Sequence, residues 1–237
     1  MMFRDKNAVH ISHNAPRLML LIASFVSATI IGAVVGLFTV YFVKLVMAAE
    51  VLRIQYRPDT SHLSFELFFY QAGLLFLGMC ILIVIRRIFR ANRWHGPADV
   101  IHAAHSDLNI LSTNTGIATI LSVFFSVAAG ASVGIYGPLV HLGAFLSRAF
   151  NSVFRMNLLS QDMILGCGVA AAISSGFNAP IAGMIFAHEV VLRHFSMRAL
   201  APIAIASIAS FSISSGLFDE VRWLRLDTNV PSIFSLS

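Results

Sequence analysis

Residues 130–148 read G-A-S-V-G-I-Y-G-P-L-V-H-L-G-A-F-L-S-R, and this stretch decides the fold. A loop of small residues leads into Pro138, and proline is favoured at the first position of a helix because that position needs no amide donor. The sequence therefore predicts a helix that begins at Pro138. No Asp, Glu, Lys or Arg occurs between Asp107 and Arg148, so this helix begins in apolar surroundings.

A helix start in such surroundings is a candidate anion site. The first N–H groups of a helix have no partner within it, and the helix dipole places a partial positive charge at the same end. Together they attract an anion without any lysine or arginine. We expect the site to consist of Gly134, Ile135, Tyr136, Gly137 and Pro138. The alternative is a helix break that serves packing alone.

The composition is that of a membrane protein. Of the 237 residues, 57% are hydrophobic and 11% charged, whereas soluble domains carry about a quarter of their residues as charges. Five uncharged runs are long enough to cross a hydrocarbon core, which takes roughly 20 helical residues. They cover residues 18–43, 67–85, 108–147, 163–188 and 199–218. Runs this long exclude barrel strands, so we predict an all-α, multi-pass fold of tilted and broken helices.

The charges predict an orientation. The net charge is +5, and the basic residues flank the apolar runs instead of forming one face of a soluble domain, which argues against a nucleic-acid partner. One cluster precedes the first run and another follows the second: Arg4, Lys6 and Arg17, then Arg86, Arg87, Arg90 and Arg93. Both clusters lie on one side, which the positive-inside rule makes cytoplasmic. We predict a cytoplasmic segment at 1–17, a transmembrane unit at 18–215 and a tail at 216–237.

Breaks within the apolar runs indicate where a transport site would lie. The third run is interrupted at residues 130–138 and the fourth at residues 176–180, while Gly96-Pro97 precedes a short polar helix. Broken helices at membrane depth are tolerated where they line a water-filled cavity. They are the usual indication of a transport site.

Other patterns have simpler interpretations. A helix would place His95, Asp99, His102 and His105 on one face, which suits either a metal site or a polar face at the membrane interface, and we favour the polar face. Cys80 and Cys167 are expected to be small buried hydrophobes. The sequence contains no phosphate loop, CxxC or nucleophile–base pair, so we predict neither an enzyme nor a cofactor.

The order of the breaks resembles the CLC family of chloride channels and chloride/proton exchangers. Residues 134–138, G-I-Y-G-P, are similar to the family's G-[RK]-E-G-P, and residues 173–189 resemble its A-A-x-F-N-A-P-L-A-G-x-x-F-x-x-E. The family's G-S-G-I-P is weakly represented by residues 94–98. The resemblance covers roughly residues 18–215, the first of two inverted halves. It implies that residues 134–138 bind the anion and that His95, Gly96 and Pro97 assist.

The departures from the family pattern concern proton transport. Tyr136 stands where the family has its gating glutamate, and Val190 stands where exchangers have their proton-relay glutamate. A tyrosine hydroxyl is uncharged at neutral pH. The resemblance therefore implies passive chloride conduction without proton coupling, with Tyr136 as gate or lining group. Glu189 matches the first of the family's two glutamates, and we expect it to be a structural carboxylate that accepts hydrogen bonds from backbone N–H groups.

The missing second half leaves an alternative open. Family members build their pore from both halves, and this chain resembles only the first. The first possibility is that the chain conducts anions by itself. The second is that it does not conduct, because it is a truncated half or a subunit whose partner supplies the second half. The expected partners are chloride or other small anions, the lipid bilayer, and either a second copy in a homodimer or a chain that supplies the second half.

Overall fold

The computed structural model describes residues 17–56, 65–91, 93–94, 96–105, 112–134, 136–154, 159–193 and 196–217. These residues form eight α-helices and one π-helix. The helices are α1 (Arg17–Gln55), α2 (Phe65–Ile88), α3 (Pro97–His105), α4 (Thr113–Ala128), α5 (Tyr136–Phe154), α6 (Gln161–Phe177), α7 (Pro180–Phe186), the π-helix (Ala187–Leu192) and α8 (Met197–Leu217). The predicted cytoplasmic segment, apart from Arg17, and nearly all of the predicted tail lie outside the described residues.

Among the described residues, α1, α2 and α8 are long and apolar enough to cross a membrane. The five apolar runs thus do not give five single spans. The third run is divided between α4 and α5, and the fourth between α6 and α7. Gly130 and Gly134 have left-handed conformations in the break between α4 and α5, and Asn178 ends α6 before Pro180 begins α7. The all-α, broken-helix architecture predicted from the sequence is confirmed.

Helix α6 forms the centre of the bundle. Every residue from 164 to 176 is buried, and α6 packs against α1, α5, α7 and α8. A helix that is apolar all round can be buried on every face. Its small residues let the neighbouring backbones approach closely, as helix packing in lipid requires.

Two glycines bring α1 and α8 together. A methyl group on Gly32 would lie 2.8 Å from Cα of Ala206, and one on Gly36 would lie 2.9 Å from Cα of Ser210. Both contacts are with backbone, which cannot move aside cheaply. The G-x-x-x-G of residues 32–36 therefore serves the close helix contact that this motif predicts.

The helix after the central break starts earlier than predicted. It begins at Tyr136, whereas the sequence predicted Pro138. Gly134 has φ +63°, a left-handed conformation that turns the chain just before the helix. Pro138 is then the third residue of α5, still in the first turn, where a missing N–H breaks no hydrogen bond.

Candidate functional site

Three helices begin around one cavity of about 470 Å³. They are α3, which starts at Pro97, α5, which starts at Tyr136, and α7, which starts at Pro180. Described residues that line the cavity are all nonpolar: Pro97, Gly137, Val140, Ile173, Phe177, Ala179, Ala182 and Phe186. A methyl group on Gly137 would lie 3.6 Å from Cγ of Pro97, so the starts of α3 and α5 are in contact.

The start of α5 is prepared by the turn that follows α4. The Gly130 amide donates to the Val127 carbonyl and the Ala131 amide to the Ser126 carbonyl, both at 2.9 Å, which closes the end of α4. Gly134 is exposed and left-handed, as noted above. Within the first turn of α5 the amides without an intrahelical acceptor are those of Tyr136 and Gly137, since Pro138 has no N–H. Ile135 lies outside the described residues.

The start of α3 carries a negative charge. Asp99 Oδ2 accepts a hydrogen bond of 2.8 Å from the Gly96 amide, and Asp99 Oδ1 pairs with Arg93. A carboxylate in the first turn neutralises the partial positive charge of the helix end. The sequence analysis grouped Asp99 with possible metal ligands and did not recognise it as a cap. His95 lies outside the described residues.

The start of α7 was not assigned to the site from the sequence. Asn178 ends α6 in the left-handed conformation with φ 56°, and its amide donates to the Ser174 carbonyl. The chain then reverses into α7 at Pro180. The available signal was that Pro180 follows a helix break, as Pro97 and Pro138 do.

Two residues singled out in the sequence lie in the π-helix. They are Val190, at the predicted proton-relay position, and Glu189, the predicted structural carboxylate. Val190 is half-buried, and Glu189 is exposed. Glu189 accepts no hydrogen bond from any described residue, so its predicted structural role has no partner in this part of the chain. Neither residue lines the 470 Å³ cavity.

The polar face of α3 is used for contacts within the protein. The His105 ring nitrogens each lie 2.9 Å from a carbonyl oxygen, Nδ1 from that of Ile101 and Nε2 from that of Leu192. The second contact ties the end of α3 to the end of the π-helix. The described residues contain no group of three His, Cys, Asp or Glu side chains placed to hold a metal ion.

These features define a class: a multi-pass helical membrane protein whose broken helices begin around a nonpolar cavity. The family model described as voltage gated chloride channel matches residues 73–235. Because this match covers more than half of the chain, the protein belongs to the voltage-gated chloride channel family, which is a family of channels and transporters.

Individual relatives match only part of their own length. A putative chloride channel protein ClcB-like from Ralstonia nicotianae is 30% identical over 143 residues, which cover 59% of this chain and 32% of that protein. Chloride channel protein CLC-e from Arabidopsis thaliana is 43% identical over 67 residues, or 28% of this chain and 9% of that one.

The fold is similar to that of a solved structure, the crystal structure of a CLC-type fluoride/proton antiporter. The TM-score is 0.71 at 20% sequence identity, with 87% of this chain and 49% of the antiporter chain covered. This chain thus spans about a third of the Ralstonia relative and about half of the antiporter structure.

Proposed function

We propose that this chain passes chloride or another small anion through the membrane down its gradient, without proton coupling. The observation that supports this most directly is the contact between Gly137 and Pro97, which brings the amino ends of α5 and α3 to one nonpolar cavity. Amide donors at helix starts without lysine or arginine would bind an anion weakly. Conduction needs weak binding, because the ion must leave as well as enter.

The two helix starts contribute unequally to this site. The proposed coordinating amides belong to Gly134, Ile135, Tyr136, Gly137 and Pro138, of which Tyr136, Gly137 and Pro138 begin α5 and Pro138 contributes no N–H. His95, Gly96 and Pro97 would assist from α3. The Asp99 carboxylate already accepts the Gly96 amide, so the share of α3 is the smaller one.

The lack of proton coupling is inferred from two side chains. Tyr136 and Val190 occupy the positions where the resemblance places proton-carrying glutamates. Neither replacement supplies a carboxylate. Tyr136 would then act as a gate or as part of the lining of the path, at the first residue of α5.

Chloride efflux from liposomes that contain the purified chain, with proton uptake followed in the same sample, tests the proposal. We expect efflux without proton movement, and a changed efflux rate for Tyr136→Ala. Tyr41→Ala is the matched control, because Tyr41 is exposed on α1 and away from the cavity. It should leave efflux as in the unmodified chain.

Proton uptake in fixed ratio to chloride would overturn the uncoupled mechanism. If neither the unmodified chain nor Tyr136→Ala supports efflux while both are folded, the autonomous-channel proposal fails. The alternative is then a non-conducting half or a subunit that needs a second half. The exposed Glu189, which has no hydrogen-bond partner among the described residues, favours this alternative. Reconstitution with a chain that supplies the second half, or with a second copy as a homodimer, would then restore efflux.

A further inference from the structure

A second, larger cavity of about 930 Å³ lies at the opposite end of α2 from its arginine cluster. The end of α1, the beginning of α2 and the turn after α4 line it, and it is open on one side. Its lining residues are Arg53, Ile54, Phe65, Leu67, Phe68, Phe69, Tyr70, Gln71, Leu75 and Gly130. We propose that this cavity binds a membrane lipid with an anionic headgroup, whose phosphate lies at Arg53 and whose acyl chain lies along the phenylalanines.

Arg53 provides a cation that is only partly compensated. It is half-buried, and its Nε atom is buried without an acceptor among the described residues. Among the described residues its nearest carboxylate oxygen, Oε1 of Glu50, lies 3.8 Å from Nη2, beyond hydrogen-bond distance, and Glu50 is itself about half exposed. Removing a guanidinium from water is costly unless an anion or an acceptor compensates it. A phosphate suits this group because its oxygens match the planar N–H groups of arginine.

Hydrogen bonds from α2 fix the backbone on both sides of the Arg53 guanidinium. The Tyr70 hydroxyl donates to the Arg53 carbonyl at 3.4 Å, and Gln71 Nε2 donates to the Ala129 carbonyl at 3.2 Å. A methyl group on Gly130 would lie 2.6 Å from Arg53 Nη1, so a side chain at this position would displace the guanidinium. Gly130 has φ +92°, which also requires glycine.

The Arg53 guanidinium does not cap the carboxyl end of α4. Although it lies beside the carboxyl end of that helix, it donates no hydrogen bond to a carbonyl of α4 within the described residues. The Ala129 carbonyl accepts from Gln71 instead. The terminal Nη groups of Arg53 are therefore available to a ligand in the cavity, whereas its Nε atom is buried.

The rest of the wall suits an acyl chain better than a free ion. Seven of the ten lining residues have large aliphatic or aromatic side chains, and Phe68 and Phe69 are exposed and meet edge to face at 5.8 Å. Glu50, Arg53 and Glu66 mark the ends of α1 and α2, so the cavity lies where a bilayer places its headgroups. A cation at the headgroup level with apolar surface beside it matches an anionic lipid.

Native mass spectrometry of the detergent-purified chain, titrated with phosphatidylglycerol and with phosphatidylcholine, tests this site. We expect a roughly fivefold preference for phosphatidylglycerol, the ratio that one cation near an anionic lipid supplies. Arg53→Gln should lower that preference, and the exposed arginines at the other end of α2 account for what remains. Arg87→Gln is the matched control, because Arg87 is an exposed arginine at the other end of α2, and it should retain the preference. Equal binding of the two lipids, or an unchanged preference in Arg53→Gln, would overturn the proposal.

Two further measurements use the unmodified chain and do not depend on how a variant folds. A photoactivatable phosphatidylglycerol should attach to the peptide that contains residues 65–75, and adducts spread evenly over the chain would contradict a defined site. Millimolar inorganic phosphate should not displace the lipid. Displacement would mean that the cavity binds a free anion and not a lipid.

Discussion

Single glycines determine how closely the helices approach the proposed anion site. Gly143 on α5 and Gly168 on α6 face each other, and a methyl group on either would run into the backbone carbonyl of the other. A methyl group on Gly143 would also lie 2.7 Å from Cβ of Ala172. This contact holds α5 against the buried central helix, and it thereby determines where Gly137, two turns earlier, meets Pro97.

We predict that Gly143→Ala destabilises the bundle by about 1–3 kcal/mol, the usual cost of overpacking a tight contact. Gly73→Ala is the control, because nothing lies within 4 Å of a methyl group at that position of α2. It should be neutral or slightly stabilising, since alanine favours a helix interior by about 1 kcal/mol over glycine. Unfolding in mixed SDS and detergent micelles compares the two variants. Equal stability of both would mean that the α5–α6 contact can relax.

Serine hydroxyls connect α6, α7 and α8. Ser207 Oγ donates to the Pro180 carbonyl at 2.6 Å, Ser174 Oγ donates to the Ser207 carbonyl at 2.7 Å, and Ser210 Oγ donates to the Ala171 carbonyl at 2.6 Å. Side-chain hydrogen bonds between helices contribute to the stability of helix bundles in membranes. Here the first of them holds the start of α7 at the edge of the 470 Å³ cavity.

We expect Ser207→Ala to destabilise the bundle by about 0.6–1.7 kcal/mol, the range measured for interhelical hydrogen bonds in membranes. Ser212→Ala is the matched control on the same helix, because the Ser212 hydroxyl is exposed and donates to Ile208 within α8. That variant should be close to neutral in the same unfolding assay. If Ser212→Ala lost as much stability as Ser207→Ala, the cause would be a weaker α8 helix and not the lost hydrogen bond between helices.

At the scale of the whole molecule, the paths of α1 and α2 imply an orientation. Both are long enough to cross the bilayer and run in opposite directions, so the ends near Arg53 and Glu66 share one side. The arginines at the end of α2 lie on the other. By the positive-inside rule we predict that this second side, with the N-terminus, is cytoplasmic.

Cysteine labelling of cells with a membrane-impermeant maleimide tests that orientation. In a chain with Cys80→Ala, Glu66→Cys should react from outside the cell, and Arg87→Cys should react only after permeabilisation. Both positions are exposed at helix ends, whereas Cys167 is buried and should remain silent. Reaction of Arg87→Cys in intact cells would reverse the predicted topology.

The sequence alone determined the membrane class, the broken helices and the loss of carboxylates at positions 136 and 190. Each depends on local composition: the length of an apolar run, a glycine or proline within it, or the identity of one residue. The tertiary structure decided that the starts of α3, α5 and α7 meet at one cavity, that Asp99 caps α3, and that Arg53 faces Gly130. These residues are far apart in the sequence, and close contacts at Gly32, Gly36, Gly143 and Gly168 set the helix crossings. Such contacts depend on which small residues of different helices face each other, and hydropathy along one chain does not carry that information.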